Sequence, residues 1–199
     1  MPETNLETRF IERALANLIN RAILERLPEL GAPDAWLVAG CLYQAVWNAE
    51  AGRPAAENVK DYDIFYCGAD DLSWRAEDAV IRRADGLFAD LGVAHEVRNQ
   101  ARVHLWYERR FGEPGVALNS SRDGIERFLV ACTCVGLKPG VGGIELYAPH
   151  GLDDLFAGRL KPNPLTPSAN FHAKAESYRA RWPWLEILDD TPLATGAPS

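Results

Sequence analysis

The stretch Asp61-Tyr62-Asp63-Ile64-Phe65-Tyr66 decides how this chain is read. It is aromatic, partly alternating and free of glycine and proline, which is the pattern of a β-strand. Side chains two apart on a strand share a face, so Asp61 and Asp63 stand about 6–7 Å apart on one side of it. Two carboxylates so placed on a rigid element can grip one or two divalent cations. Magnesium in particular combines carboxylate oxygens with phosphate oxygens and water, so the pair suits a metal–nucleotide complex. An isolated Asp-x-Asp is most often a solvated strand edge, and the flanking sequence has to carry the rest of the reading.

Upstream, the apolar run Trp36-Leu37-Val38-Ala39 reads as a buried strand. Gly40 follows as a turn, and Leu42, Ala45 and Val46 then line one side of a helix over Cys41–Asn48. A glycine at that corner lets backbone approach a phosphate, and the helix start offers the N–H groups of Gly40 and Cys41 and a positive dipole end. Residues 49–58, with Gly52 and Pro54, form a loop. Lys60 falls on the opposite face from Asp61 and is set aside as a phosphate ligand.

Downstream, Ser73 caps a helix over Trp74–Leu91, and Gly92 sits where a left-handed terminator belongs. A strand over Val93–Arg98 then carries a third acid, Glu96. If it lies beside the Asp61–Asp63 strand, Glu96 shares that face with Ala94 and Arg98, while His95 and Val97 turn to the other layer. Two metals about 3.5–4 Å apart would then draw the three carboxyl groups within about 8 Å. Arg98, Asn99, Arg102 and His104 cluster behind Glu96. Arginine can hold phosphate bidentately and asparagine can meet ribose or base; His104 is a candidate base or a histidine satisfied inside the fold. Alternation of Val103, Leu105 and Tyr107 predicts a second strand over Arg102–Glu108.

The remaining chain frames this centre. Ile11, Leu15, Leu18, Ile19, Ala22 and Ile23 make one apolar helical stripe, ended by Pro28 and Gly31. Further elements are a short helix within Gly124–Thr133, a strand over Ile144–Tyr147, a helical turn at Leu152–Phe156, an extended segment from Lys161 to Pro167 and a last helix over Phe171–Arg181. Residues 1–188 read as a single domain and 189–199 as a flexible tail. Hydrophobic residues are 47% of the 199, enough for a packed core and against disorder over most of the length. No apolar run reaches the roughly 18 residues of a membrane span. No secretory signal opens the chain, so a cytoplasmic location and reduced thiols are expected for Cys41, Cys67, Cys132 and Cys134. Cys132 and Cys134 fall on one face if that segment is a strand. The net charge of −7 argues against a grip on long nucleic acid, which calls for a basic surplus.

Three acids on neighbouring strands beside a phosphate-binding turn resemble the nucleotidyltransferase superfamily, the DNA polymerase beta-like fold. The likeness runs from about Trp36 to Trp106. More closely, Trp36–Cys41, Val59–Ile64, Glu96–His104 and Tyr147–Leu155 look like a bacterial family of small nucleotidyltransferase-like proteins, which extends the likeness over most of the chain. Two features depart from the superfamily pattern: Cys41 stands for the usual serine or second glycine, and the 19 residues between Cys41 and Asp61 exceed the usual gap.

The resemblance implies an α+β domain with a mixed β-sheet flanked by helices, an N-terminal helix and a helical C-terminal segment. It implies Mg2+ or Mn2+ on Asp61, Asp63 and Glu96, with Glu96 as ligand or as base for the acceptor hydroxyl. Gly40 and Cys41 would hold the triphosphate through backbone N–H groups, and Arg98, Asn99, Arg102 and His104 are the further nucleotide-binding candidates. The implied reaction moves a nucleoside monophosphate from an NTP to an acceptor, which could be a small molecule, a protein hydroxyl or an RNA end, and releases pyrophosphate. The alternatives are a module of the same fold that binds nucleotide or a partner without turnover, and an interaction protein whose acidic strand face meets a basic partner.

Overall fold

The computed structural model describes residues 5–112 and 115–188; the expected tail over 189–199 lies outside them. The N-terminal apolar stripe is two helices, α1 (Leu6–Leu15) and α2 (Leu18–Arg26), and not one. Asn17 makes the break: its side chain accepts from the Ile19 N–H and caps α2, which outweighs continuation of the stripe. A 3-10 turn ends at Gly31, whose φ of 62° is the expected left-handed stop.

Next come β1 (Trp36–Val38), α3 (Gly40–Glu50), β2 (Asp61–Tyr66), α4 (Trp74–Leu87) and β3 (Ala94–Asn99), close to the sequence reading. The Ser73 hydroxyl accepts from the Ala76 N–H to cap α4. The long connection between α3 and β2 is fastened by buried Asn48, whose Nδ2 donates to the carbonyls of Ala55 (3.2 Å) and Glu57 (2.7 Å). The excess length therefore forms a folded loop beside the sheet.

The strand expected over Arg102–Glu108 is absent. A 3-10 turn at Gln100–Arg102 leads instead into helix α5 (His104–Phe111). The Asn99 side chain accepts from the Ala101 N–H and turns the chain out of extended conformation as β3 ends. Three alternating apolar residues were too short a pattern to settle the type of element.

After α6 (Ser121–Ile125) the chain makes another 3-10 turn at Ala131–Thr133. Cys132 and Cys134 thus lie on and after a turn and not on a strand. Both are buried, and burial pushes each thiol up to about 12. All four cysteines are free. A hairpin of β4 (Gly136–Gly140) and β5 (Gly143–Tyr147) follows, the first strand unforeseen because glycine and proline dominate it. Helix α7 (Asp153–Phe156), β6 (Arg159–Leu160), α8 (Phe171–Arg179) and β7 (Glu186–Ile187) complete the order.

The main sheet runs β3-β2-β1-β4-β5, with β2 and β3 parallel and the other neighbours antiparallel. Helices pack on its inner face through Ile64, Tyr62 and Val97 on one side and Trp47, Leu42 and Phe88 on the other, all buried. Helix α8 is fixed against α3 by a 2.7 Å hydrogen bond between the Tyr43 and Tyr178 hydroxyls and by Trp182, whose ring lies 5.3 Å from that of Trp47. Among the described residues no helix is long and apolar enough to cross a membrane.

Candidate active site

The turn between β1 and α3 is bound to the sheet on one side and open on the other. The Ala39 N–H donates to the Val135 carbonyl, and the Ala39 carbonyl accepts from Leu42 and Tyr43. The N–H groups of Gly40 and Cys41, first in the helix, have no intrahelical acceptor. Ala39 has φ 60° and ψ −127°, a conformation an L-residue rarely takes. A Cβ at Gly40 would lie 2.8 Å from the Gln44 amide nitrogen, which folds over the turn, so a side chain there would displace the end of Gln44. The Cys41 side chain faces away from the opening. Its thiol is fully buried, 3.5 Å from the Val38 carbonyl, and desolvation raises its pKa well above the ordinary value. Cys41 is buried throughout, backbone included.

A cleft of about 1080 Å³ opens over this turn, and Gly40, Asp61 and Asp63 all line it. Asp61 is exposed at the strand start and Asp63 is partly buried one step in. Burial first, then the charges of Asp61 and Glu96, lift the Asp63 carboxyl to about 7. Glu96 pairs with Asp63 in register across the parallel strands and shares a second cavity with it. His95 and Val97 point the other way, His95 onto Asp85 of α4 at 3.0 Å, as alternation requires. The three acids are thus assembled around Asp63, but Glu96 is held by Arg98 in a 2.5 Å ion pair.

The other nucleotide-binding candidates behind Glu96 fare differently. Asn99 is consumed by the fold: its amide accepts from the N–H groups of Gly68 and Ala101 and donates to the Gly68 carbonyl at 2.8 Å. Arg102 is buried in an ion pair with Glu77 and donates to the Leu72 carbonyl at 2.7 Å. Its contact with Glu77 explains why that acid is buried at all. His104 opens α5 with Nδ1 buried and lies outside the lining of the cleft. Two causes act: strand alternation puts Asn99 on the face of His95 and Val97, opposite Glu96, and the turn at Gln100–Arg102 takes Arg102 and His104 out of the strand.

The basic side of the cleft comes from elsewhere. Lys60 lines it, contrary to the sequence reading, because it precedes β2 and is not bound by strand alternation. Lys174 lines it from α8, and Arg181 from the turn just after that helix. The charge of Lys174 reaches Asp63 and opposes the rise in its pKa. Arg181 donates to Gln44 Oε1 at 3.4 Å, linking α8 to the glycine turn. No local motif marks these residues; only the packing of α8 on α3 brings them to the acids.

The donor set suits a hard divalent cation bound jointly with substrate. Asp61 and Asp63 provide carboxylate oxygens, and magnesium takes one or two protein carboxylates when phosphates and water complete its shell. Among the described residues no three acidic, histidine or cysteine side chains gather closely enough to cage an ion by themselves.

A mixed sheet whose acidic strand runs beside a helix-opening glycine turn is the architecture of nucleotidyl-transfer domains. The sequence agrees: residues 25–187 match the nucleotidyltransferase family, and the chain belongs to that family. A solved protein whose solution structure is described as revealing a CCA-adding enzyme head domain superposes with a TM-score of 0.67 at 23% identity, over 85% of this chain and 89% of that one. The likeness establishes the fold. Among curated proteins none matches the chain.

Proposed function

We propose that the protein transfers a nucleoside monophosphate from an NTP to an acceptor hydroxyl, with release of pyrophosphate, in a magnesium- or manganese-dependent reaction in the cytoplasm. The observation that carries this reading is the composition of one cleft: Gly40 at the start of α3, the Asp61–Asp63 pair and the cations Lys60, Lys174 and Arg181 all line it. A triphosphate needs both signs of partner, donors and cations for its oxygens and carboxylates for the metal it carries.

In this reading Gly40 and Cys41 donate backbone hydrogen bonds to the β- and γ-phosphates, and the α3 dipole favours their charge. Lys174 and Arg181 close on the same oxygens from the opposite wall. Asp61 and Asp63 would hold the metal, with Glu96 in reach once Arg98 turns to the phosphates. Metal bound there would neutralise charge on the attacking and leaving oxygens. Asp63, hard to ionise alone, is then stabilised as the carboxylate.

Calorimetric titration with NTPs in the presence and absence of Mg2+, run beside a pyrophosphate-release assay, tests the reading. Metal-dependent NTP binding with release is expected. Binding without release would favour a module that has lost turnover, and no metal effect on binding or thermal stability would overturn both.

A further inference from the structure

Beside the first cleft lies a second cavity of about 480 Å³, and Asp63 lines both. Their chemistry differs. Phe65 of β2, Val103 before α5, Trp106, Leu118 and Phe128 give the second cavity an apolar, largely aromatic wall. Charge is confined mainly to the end where Asp63, Glu96 and Arg98 stand. At the mouth, Val116 and Leu165 are 55% and 52% exposed, an unusual position for two apolar side chains that also line a cavity.

Arg127 and Thr166 line both compartments. Arg127 Nε and Thr166 Oγ1 are buried and have no hydrogen-bond partner. Buried polar atoms are nearly always satisfied. Two orphans on the partition between a phosphate-type cleft and an apolar cavity are explained if ligand oxygens pass between them.

We propose that the second cavity is the acceptor site and that the acceptor is a small amphipathic alcohol. Its apolar body lies against Phe65, Phe128 and Trp106, and its hydroxyl lies beside Asp63 and Glu96. The inference rests on the nucleotidyl-transfer reading above. The acceptor oxygen forms a bond to the α-phosphorus while the bond from that phosphorus to the pyrophosphate oxygen breaks. The bonding pair leaves with pyrophosphate, and the hydroxyl proton passes to the Glu96 carboxylate and on to solvent. Arg127 and Thr166 meet the oxygens of the phosphoryl group as it crosses the partition.

Size and charge select this class. The volume falls within the roughly 300–1,000 Å³ of small-molecule sites. An RNA end brings phosphates on every residue, yet the wall offers Arg98 and Arg127 as its cations, and Arg98 is paired with Glu96. A hydroxyl on a folded protein surface brings polar neighbours that the wall of Phe65, Trp106 and Phe128 does not match.

The test incubates the full chain with Mg2+ and α-labelled NTPs, separately with the fraction of a cell extract below about 1 kDa, the size class such cavities take, with total RNA and with the protein fraction. Label in a low-mass product is expected; label in RNA or protein, or NTP binding with no low-mass product, overturns the acceptor assignment. Absence of metal-dependent NTP binding would overturn the underlying reading as well, which keeps the two failures apart. Leu165→Trp, at an exposed position on the mouth, then partly fills the cavity. It should raise KM for the low-mass acceptor about tenfold or more and leave the Kd for NTP within about twofold. Equal losses in both would place the acceptor elsewhere.

Discussion

Asp63 of β2 and Glu96 of β3 stand directly opposite each other across a parallel strand pair, and the charge of Glu96 is one reason Asp63 resists ionisation. Acids facing one another across so short a gap repel and do nothing for the stability of the ligand-free protein. Asp61→Asn and Asp63→Asn should therefore each fold with undiminished thermal stability. Each should lose roughly a hundredfold or more of the transfer rate, because a charged metal ligand is gone. A melting curve and a pyrophosphate-release rate on the same samples check both halves. Wild-type rates in both variants would remove these residues from the site.

The same electrostatics set a pH dependence. The Asp63 carboxyl titrates at about 7 in the folded chain against an ordinary 3.8. Between those values the folded state keeps a proton that the unfolded state has released, so Asp63 makes stability fall as pH rises through that window. Its penalty is absent below the window and complete above it. Melting temperatures from pH 4 to 8 should fall less steeply for Asp63→Asn than for the wild-type chain. Mg2+ with NTP should raise wild-type stability most above pH 7, where the carboxylate is already ionised. Parallel curves for variant and wild type would show that Asp63 titrates normally.

Lys174 approaches this acid pair from α8, and Arg181 ties α8 to Gln44 over the glycine turn. Lys174→Ala should weaken NTP binding about tenfold, the loss of one charge-assisted phosphate contact. It should also raise the Asp63 pKa further, because a compensating positive charge is removed. Titration calorimetry measures the first effect and carboxyl NMR the second. Unchanged affinity would leave α8 as a wall of the cleft only.

The fate of these residues shows what a sequence can and cannot disclose here. Strand β2 was legible to the residue because alternation, aromatic content and the acids all fall in one short run. Helix α4 was legible through its Ser73 cap, but it stops at Leu87 and not at the expected Leu91, and Gly92 ends the 3-10 turn at Ala89–Leu91 that follows. The Arg102–Glu108 segment misled because Val103, Trp106 and Tyr107 line the second cavity at helical spacing, while Val103, Leu105 and Tyr107 mimic a strand. A single side-chain hydrogen bond from the Ala101 N–H to Asn99 decides between them. The acids were readable because one strand and its neighbour carry them. Lys174, Arg181 and Arg127 were not, since their meeting with the acids is a product of tertiary packing alone.

Cys41 occupies the position where the superfamily usually has a hydroxyl or a second glycine, which at first suggests that serine there would add a phosphate contact. The geometry reverses that expectation: the thiol points into the core toward the Val38 carbonyl at 3.5 Å. Cys41→Ser should leave NTP affinity unchanged and cost about 0.5–2 kcal/mol of stability, since a hydroxyl is shorter than a thiol and harder to desolvate. Chemical denaturation and titration of the same variant check both. A rise in affinity would mean that the side chain turns outward when nucleotide arrives.

Ala39 holds the glycine turn in a conformation that favours glycine, with φ 60° and ψ −127°. Such a non-glycine residue stores of order 1–3 kcal/mol. The strain persists because the Ala39 N–H is bonded to Val135 and its carbonyl to Leu42 and Tyr43. Glycine relieves the strain but adds about 0.5–1 kcal/mol of unfolded-state entropy. Ala39→Gly should therefore stabilise the chain by up to about 2 kcal/mol, a rise in Tm of about 2–4 °C for each kcal/mol at this size. The turn keeps its shape, so NTP affinity should hold. Ala39→Val, branched at Cβ and still more averse to positive φ, should lower Tm and loosen the N–H groups of Gly40 and Cys41 enough to weaken binding. A lower Tm in the glycine variant would show that the Ala39 methyl contributes more by packing against Val38 and its neighbours than it costs in strain.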